Sequence, residues 1–225
     1  MKILVTGGAG FIGSAFIRKL IETKNFDILN IDNLSYAGNL ENISYTGENY
    51  QFLKLDISKY NDIYDAINSF RPKKIFNFAA ESHVDRSINN SMNFLTTNII
   101  GTYNILESIK SCTGLINEDN FMFHHISTDE VFGDIEFGKI SPSEESQYNP
   151  SSPYSATKAS SDMLVKAWNR TYMIPSIISN CTNNYGPYQY PEKLIPVIIL
   201  NALQKKKIPI YGDGKQIRDW IHVDD

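Results

Sequence analysis

A doubly wound α/β fold with a parallel sheet is what this sequence predicts, on three observations. Strand-length apolar runs recur along the first 180 residues and alternate with helix-length amphipathic stretches, the pattern of right-handed crossovers. The first run, Lys2–Thr6, passes directly into a turn carrying Gly7, Gly10 and Gly13 that opens a helix. Polar residues then follow the ends of the runs, at Asp32, Asp56, Glu81 and Asp129, which is where open α/β sheets bind ligands.

In chain order, Lys2–Thr6 reads as a buried strand and Phe11–Thr23 as a helix with Phe11, Ile12, Ala15, Phe16 and Leu20 on one recurring face. Strands are expected at 27–31, 50–55, 74–78, 121–127 and 175–180, and helices at 61–70, 93–111 and 155–172. The segment 136–153, rich in Ser, Pro, Glu and Gly, reads as a surface excursion able to act as a lid. From about residue 183 the character changes: 183–191 is turn-rich and aromatic, 192–204 helical, and 208–211 a short strand. Two regions follow, 1–180 for a Rossmann-like dinucleotide-binding domain and 181–225 for the start of a smaller substrate-binding domain, whose closing helices the chain does not reach.

With 225 residues, 42% apolar and 20% charged, the chain can bury a full α/β core. A net charge of −4 gives no general attraction to nucleic acid or anionic lipid, so neither is expected as a partner, and phosphate recognition has to be local. No run approaches the ~20 apolar residues of a membrane span, and the N-terminus enters a strand rather than a signal peptide, so a cytoplasmic protein is expected. Cys112 and Cys181 lack metal-site spacing and read as buried, inert thiols; no metal is expected.

A strand–glycine turn–helix context separates the Gly7/Gly10/Gly13 pattern from a merely structural turn. The turn needs positive φ, the backbone must approach a pyrophosphate, and the phosphate then meets a helix N-terminus. Asp32, closing the second strand, would accept the adenosine ribose hydroxyls and repel a 2′-phosphate, which favours NAD over NADP. Asp56 either caps a helix or touches the adenine, and Ala79 and Ala80 suit a backbone pressed against the cofactor. His83 reads as a structural hydrogen-bonding residue.

Tyr154 and Lys158 stand one helical turn apart on one face. Alone they would be a surface pair; after the glycine turn they read as a base whose phenolate a neighbouring ammonium and the positive nicotinamide ring stabilise, lowering its pKa. Asp129 and Glu130, at the end of the fifth strand, are either a solvated acidic edge or one acid and one base beside a substrate, and their position favours the second. Lys193 and Arg218 are ordinary surface cations or partners of a nucleotide diphosphate.

The segments TGGAGFIG, DNLSYAGNL, AAESHVDRSI, STDEVFGD, YSATKASSD, NNYGPYQYPEKLIP and IYGDGKQIRDW resemble the extended short-chain dehydrogenase/reductase family over the whole chain, and within it the NAD-dependent sugar-nucleotide 4,6-dehydratases. That resemblance implies a homodimer, formed through the helices 93–111 and 155–172, acting on dTDP-glucose or UDP-glucose. It implies that Tyr154, assisted by Lys158 and Thr128, takes the C4 hydroxyl proton while hydride passes to NAD. Glu130 would then remove the C5 proton, Asp129 protonate the leaving C6 hydroxyl, and hydride return to C6. By the same resemblance Ser82, Thr128, Asn183, Lys193, Leu194, Tyr211 and Arg218 line the sugar-nucleotide side. Gly7, Gly10, Phe11, Ile12, Gly13, Asp32, Asn33, Asp56, Ile57, Ala79, Ala80, Thr97, Tyr154, Lys158 and Asn184 would contact NAD. Related 4-epimerases share the glycines and the Tyr/Lys pair but generally lack the Asp-Glu pair, and an NAD-sensing protein of this fold would need neither pair.

Overall fold

The computed structural model of the chain describes residues 1–135, 138, 141–210 and 212–225. Six parallel strands form one sheet in the order β3-β2-β1-β4-β5-β6: β1 Lys2–Thr6, β2 Asp27–Asp32, β3 Tyr50–Lys54, β4 Lys74–Asn77, β5 Met122–Thr128 and β6 Ser176–Cys181. The order reverses between β1 and β4, so the carboxyl ends of these two neighbours diverge into a crevice. The fold class agrees with the sequence, and the six strands of this sheet lie within one or two residues of the expected positions.

Alternation along each strand divides the core between the two faces of the sheet. Leu4, Leu29, Ile31, Ile75 and Phe123 pack with Ile63 and Ile67 of α2 (Tyr60–Phe70) and with Ile105, Leu106 and Ile109 of α5 (Thr102–Ser111) on one side. Ile3, Val5 and Ile28 pack with Ile17 of α1 (Phe11–Thr23), Phe16, Phe76 and Phe78 on the other. Each such buried side chain contributes roughly 1.5–3 kcal/mol, which is why these runs settle as strands buried on both faces.

Between β4 and β5 the predicted single helix over 93–111 is divided. After α3 (Val84–Asn89), α4 (Ser91–Phe94) runs into a π-helical segment, Leu95–Gly101, and only then into α5. The wider turn brings Asn98 inward, where its side-chain amide donates to Glu81 O (3.0 Å) and Thr157 Oγ1 (2.9 Å) and accepts from Glu81 N (2.9 Å). One residue of helical register is thus exchanged for a clamp on the end of β4.

The helix carrying Tyr154 starts at Pro153 rather than 155. In α6 (Pro153–Tyr172) Ser152 and Ser155 form a reciprocal capping box, and proline takes the first helical position, where its missing N–H costs nothing. In the last region β7 (Asn183–Tyr185) pairs in parallel with β8 (Trp220–His222), and α7 spans Leu194–Leu203. The strand expected at 208–211 is not formed over 208–210, and Tyr211 lies outside the described residues. Of the expected excursion, 136, 137, 139 and 140 also lie outside them; the described remainder holds turns and no helix or strand before α6. No helix among the described residues is long and apolar enough to cross a membrane.

Candidate active site

The crevice at the carboxyl ends of β1, β2, β4, β5 and β6 is a cleft of about 470 Å³. At its β1 end Gly7 has φ +70°, and a Cβ there would strike the Ala79 backbone, so only glycine lets the turn approach β4. A Cβ on Gly13 would likewise collide with the Gly7 carbonyl. Gly10 caps α1 with no side-chain hydrogen bond and there is no acid in the first turn, so the amides of this helix end face the cleft without a built-in anion. Phe11, Ile12 and Gly13 line the cleft there.

Asp32 closes the next wall, almost fully buried. Its Oδ2 accepts from Ala9 N (3.0 Å) and its Oδ1 from Leu34 N (2.8 Å), so the carboxylate also ties the glycine turn to the end of β2. Burial pushes its pKa up, against these two bonds. Asn33, Ile57, Ala79, Ala80, Thr97 and Asn184 stand on the same walls. Asp56 is not on the cleft wall: its Oδ1 accepts from Ser58 N (2.8 Å) in the turn before α2, whose N-cap is Lys59, so it does not cap that helix either. An uncapped helix end, glycines where any Cβ would collide, and a carboxylate at the end of β2 are together the chemistry that a dinucleotide requires.

Opposite, the end of β5 presents Thr128 and Glu130, with Tyr154 and Lys158 of α6 beside them. Thr128 Oγ1 accepts from Glu130 N (3.3 Å) and donates to Asp129 Oδ1 (3.2 Å), and Asn180 of β6 holds the Thr128 carbonyl (3.1 Å). Burial raises the pKa of both acids; Asp129 raises Glu130 further, while Lys193 and Arg218 pull it back. Asp129 does not line the cleft wall in this arrangement, unlike Glu130.

Tyr154 is buried, and its phenol is pushed above its ordinary range by burial, then by Glu130 and Cys181, with the Thr128 hydroxyl offsetting part of this. The lowering that the sequence predicts belongs to Lys158 together with a nicotinamide ring; of these the protein itself supplies Lys158, whose ammonium donates to Ile126 O (2.7 Å) on the β5 backbone. Burial pushes Lys158 itself down to about 8.

Ser82, Asn183, Lys193, Leu194 and Arg218 complete the cleft, with Lys193 Nζ donating to Ser82 O (3.2 Å). Tyr211 lies outside the described residues. His83 Nε2 lies 3.7 Å from Glu192, too far for a hydrogen bond, and its buried Nδ1 has no partner among the described residues, so the hydrogen bonding expected of it is not seen; no group of His, Cys, Asp and Glu among the described residues could hold a metal. Of the two thiols Cys112 is buried, but Cys181 is only partly so and lines the cleft, its Sγ donating to Ser127 O (3.3 Å).

Sequence reasoning missed Tyr36 and Glu192. Tyr36 OH donates to Glu192 Oε1 (2.9 Å), and Arg86 lies 3.6 Å over the Tyr36 ring and donates to Glu192 Oε2 (3.1 Å). Both residues stand in quoted motifs, DNLSYAGNL and PEKLIP, yet their contact spans 156 positions, which no local pattern reveals.

A dTDP-glucose 4,6-dehydratase of Salmonella typhimurium is 52% identical over 238 residues, covering all of this chain and 66% of the relative. The chain thus spans just under two thirds of that relative's length. A solved dTDP-glucose 4,6-dehydratase of Streptomyces venezuelae, with NAD bound, is 40% identical with a TM-score of 0.91, covering 100% of this chain and 69% of that one. A UDP-glucose 4-epimerase of Thermotoga maritima, solved with UDP-glucose, is 31% identical with a TM-score of 0.88, covering 100% and 70%. The family model for GDP-mannose 4,6 dehydratase matches residues 4–225, and the chain therefore belongs to that family, within the extended short-chain dehydrogenases/reductases.

Proposed function

We propose that this chain carries the cofactor site and the catalytic side chains of a dTDP-glucose 4,6-dehydratase, a hydro-lyase that uses bound NAD. One observation carries the reading: Glu130, adjacent to Asp129 at the end of β5, shares a cleft wall with Tyr154 and Lys158. A 4-epimerase needs a base at C4 only, whereas expelling water across C5 and C6 needs a second base and an acid. The relatives above support the same substrate, and the likeness to the Thermotoga maritima epimerase keeps 4-epimerisation of a sugar nucleotide as the second reading.

The glycine turn and the first turn of α1 would hold the pyrophosphate of NAD, and Asp32 its adenosine ribose. NAD, when bound, supplies the hydride acceptor and donor of the cycle and a positive ring on the Tyr154 side. Tyr154, with Thr128 and Lys158, takes the C4 hydroxyl proton from the sugar. Glu130, whose pKa burial raises and Lys193 and Arg218 pull back, removes the C5 proton, now acidified by the adjacent ketone. Asp129, whose raised pKa suits a proton donor, protonates the leaving C6 hydroxyl. Lys193 and Arg218 meet the diphosphate, with Ser82, Asn183, Leu194 and Tyr211 on the sugar-nucleotide side.

Residues 181–225 would belong to the sugar-nucleotide-binding domain; the apolar α7, none of whose residues is buried, supports this. Homodimerisation would use the exposed apolar residues Met92, Leu95, Ile100 and Tyr103 with Met163 and Tyr172 of α6. A cytoplasmic location fits the two free thiols. The test is to incubate purified protein and NAD with dTDP-glucose and, separately, UDP-glucose. A dTDP-sugar lighter by one water supports the reading, a UDP-sugar lighter by one water reassigns the base, and an isomer of unchanged mass replaces dehydration by epimerisation.

A further inference from the structure

Behind the cleft, α6 carries a carboxylate that the proposed reaction does not use. Asp162 is fully buried, one turn beyond Lys158, and is not part of the cleft wall. Its Oδ2 accepts from Ser127 Oγ (2.8 Å) and Tyr148 OH (3.0 Å), with Asn180 Nδ2 at 3.5 Å. Its Oδ1 makes no hydrogen bond and faces His125 Nε2 at 3.4 Å.

The hydrogen-bond pattern around His125 assigns its proton. Asn77 Oδ1 takes the Thr6 hydroxyl (2.6 Å), so Asn77 Nδ2 is the atom that donates to His125 Nδ1 (3.0 Å). The ring hydrogen is then on Nε2, directed to Ser161 Oγ (3.2 Å) and Asp162. Lys158 Nζ, 3.4 Å from the same Nε2, therefore cannot donate to it and retains the Ile126 carbonyl as its acceptor.

That leaves a cation, 3% exposed, with one neutral acceptor, a situation that is costly without an opposite charge nearby. The titratable groups facing it are His125 of β5, Cys181 of β6 and Asp162 of its own helix, with Tyr154, Glu130 and the nearby Asp129 toward the cleft. Of these, Asp162 and Cys181 favour the charged ammonium, and Asp162 is the carboxylate.

We infer that Asp162 is a positioning residue: it is the counter-charge that holds the buried Lys158 ammonium beside Tyr154, while its bonds to Ser127 and Tyr148 fix the strand end that presents Thr128, Asp129 and Glu130. The inference deepens the proposed function and rests on that reading for the catalytic part of Lys158. It extends the machinery from the cleft wall to a second layer reaching Tyr148, in the segment just before α6.

The experiment follows Lys158 directly by carbon NMR of labelled lysine in the purified protein, the signal assigned with Lys158→Met. Asp162→Asn keeps acceptors for Ser127 and Tyr148 but removes the charge, and the Lys158 titration should move down by about one unit or more. Tyr148→Phe removes one bond and keeps the charge, and should leave that titration in place. Should Asp162→Asn not fold alone, the pair Asp162→Asn with Lys158→Met should fold, because it removes both charges. Where both singles fold, the cycle should show a coupling of at least about tenfold in the folding equilibrium. In turnover, the alkaline limb of kcat should shift to lower pH in Asp162→Asn with KM for the sugar nucleotide little changed. An unmoved Lys158 titration, additive single effects, or a double variant as unfolded as the single would each overturn the inference. Titration and folding are read without substrate, so absent dehydration in the native protein would defeat the functional reading alone.

Discussion

Mild acid should destabilise this protein through His125, buried on β5 beneath α6. The ring is 1% exposed, and burial, helped by Lys158, pushes its pKa down from 6.5 to about 4. The unfolded chain therefore takes up a proton as pH falls through 6.5, whereas the folded protein does not until about 4. In that window the unfolded state binds more protons, so stability falls with falling pH. Integrated from pH 8 to pH 5, the loss attributable to this one side chain is about 2 kcal/mol. His124, also lowered by burial, adds to the slope, while Asp32, Asp129 and Glu130, raised by burial, oppose it. Asp162, whose folded pKa lies below 3.8, loses its contribution only at lower pH. The test is thus a difference: urea unfolding of the native protein and of His125→Gln at pH 8, 7, 6 and 5. The variant should lose about 2 kcal/mol less over that range, whatever its stability at pH 8. Parallel slopes for the two proteins, within about 0.5 kcal/mol, would show that the ring is not held neutral by its surroundings.

Other outcomes follow from the same geometry. Glu130→Gln should abolish solvent deuterium entry at C5 of the sugar, whereas Asp129→Asn should retain it while loss of the C6 hydroxyl slows by roughly 100- to 10,000-fold; near-native dehydration by both variants would reduce the pair to a solvated edge. Asp32→Ala removes the acceptor of Ala9 N and Leu34 N, so calorimetry should show weaker NAD binding with relaxed exclusion of NADP, and Tm should fall; equal native affinity for both cofactors would mean that Asp32 does not select. Sedimentation at micromolar concentration should show a dimer, which Ile100→Glu combined with Met163→Glu converts to monomer; a monomeric native protein would refute the interface.

The sequence by itself determined what depends on neighbours along the chain. Strand and helix periods, the glycine turn, the Tyr154/Lys158 spacing and Asp32 at the end of β2 are all local signals, since each expresses one backbone period or one turn requirement. The cleft residues Ser82, Asn183, Lys193, Leu194 and Arg218 stand in whole motifs, although no single one of them carries a signal. What only the tertiary structure decided are the partners across elements. The π-helical segment arises because Asn98 finds Glu81 and Thr157, which a 3.6-residue period cannot announce. Lys158 donates to the Ile126 carbonyl and Asp56 accepts from Ser58 N, partners that neither the one-turn spacing nor the strand end announces. Asp162 and His125 looked like ordinary residues of a helix and a strand. They become one network with Lys158 only when the crossover lays α6 along β5 and removes all three from water, where an unpaired charge is costly enough to select its neighbours.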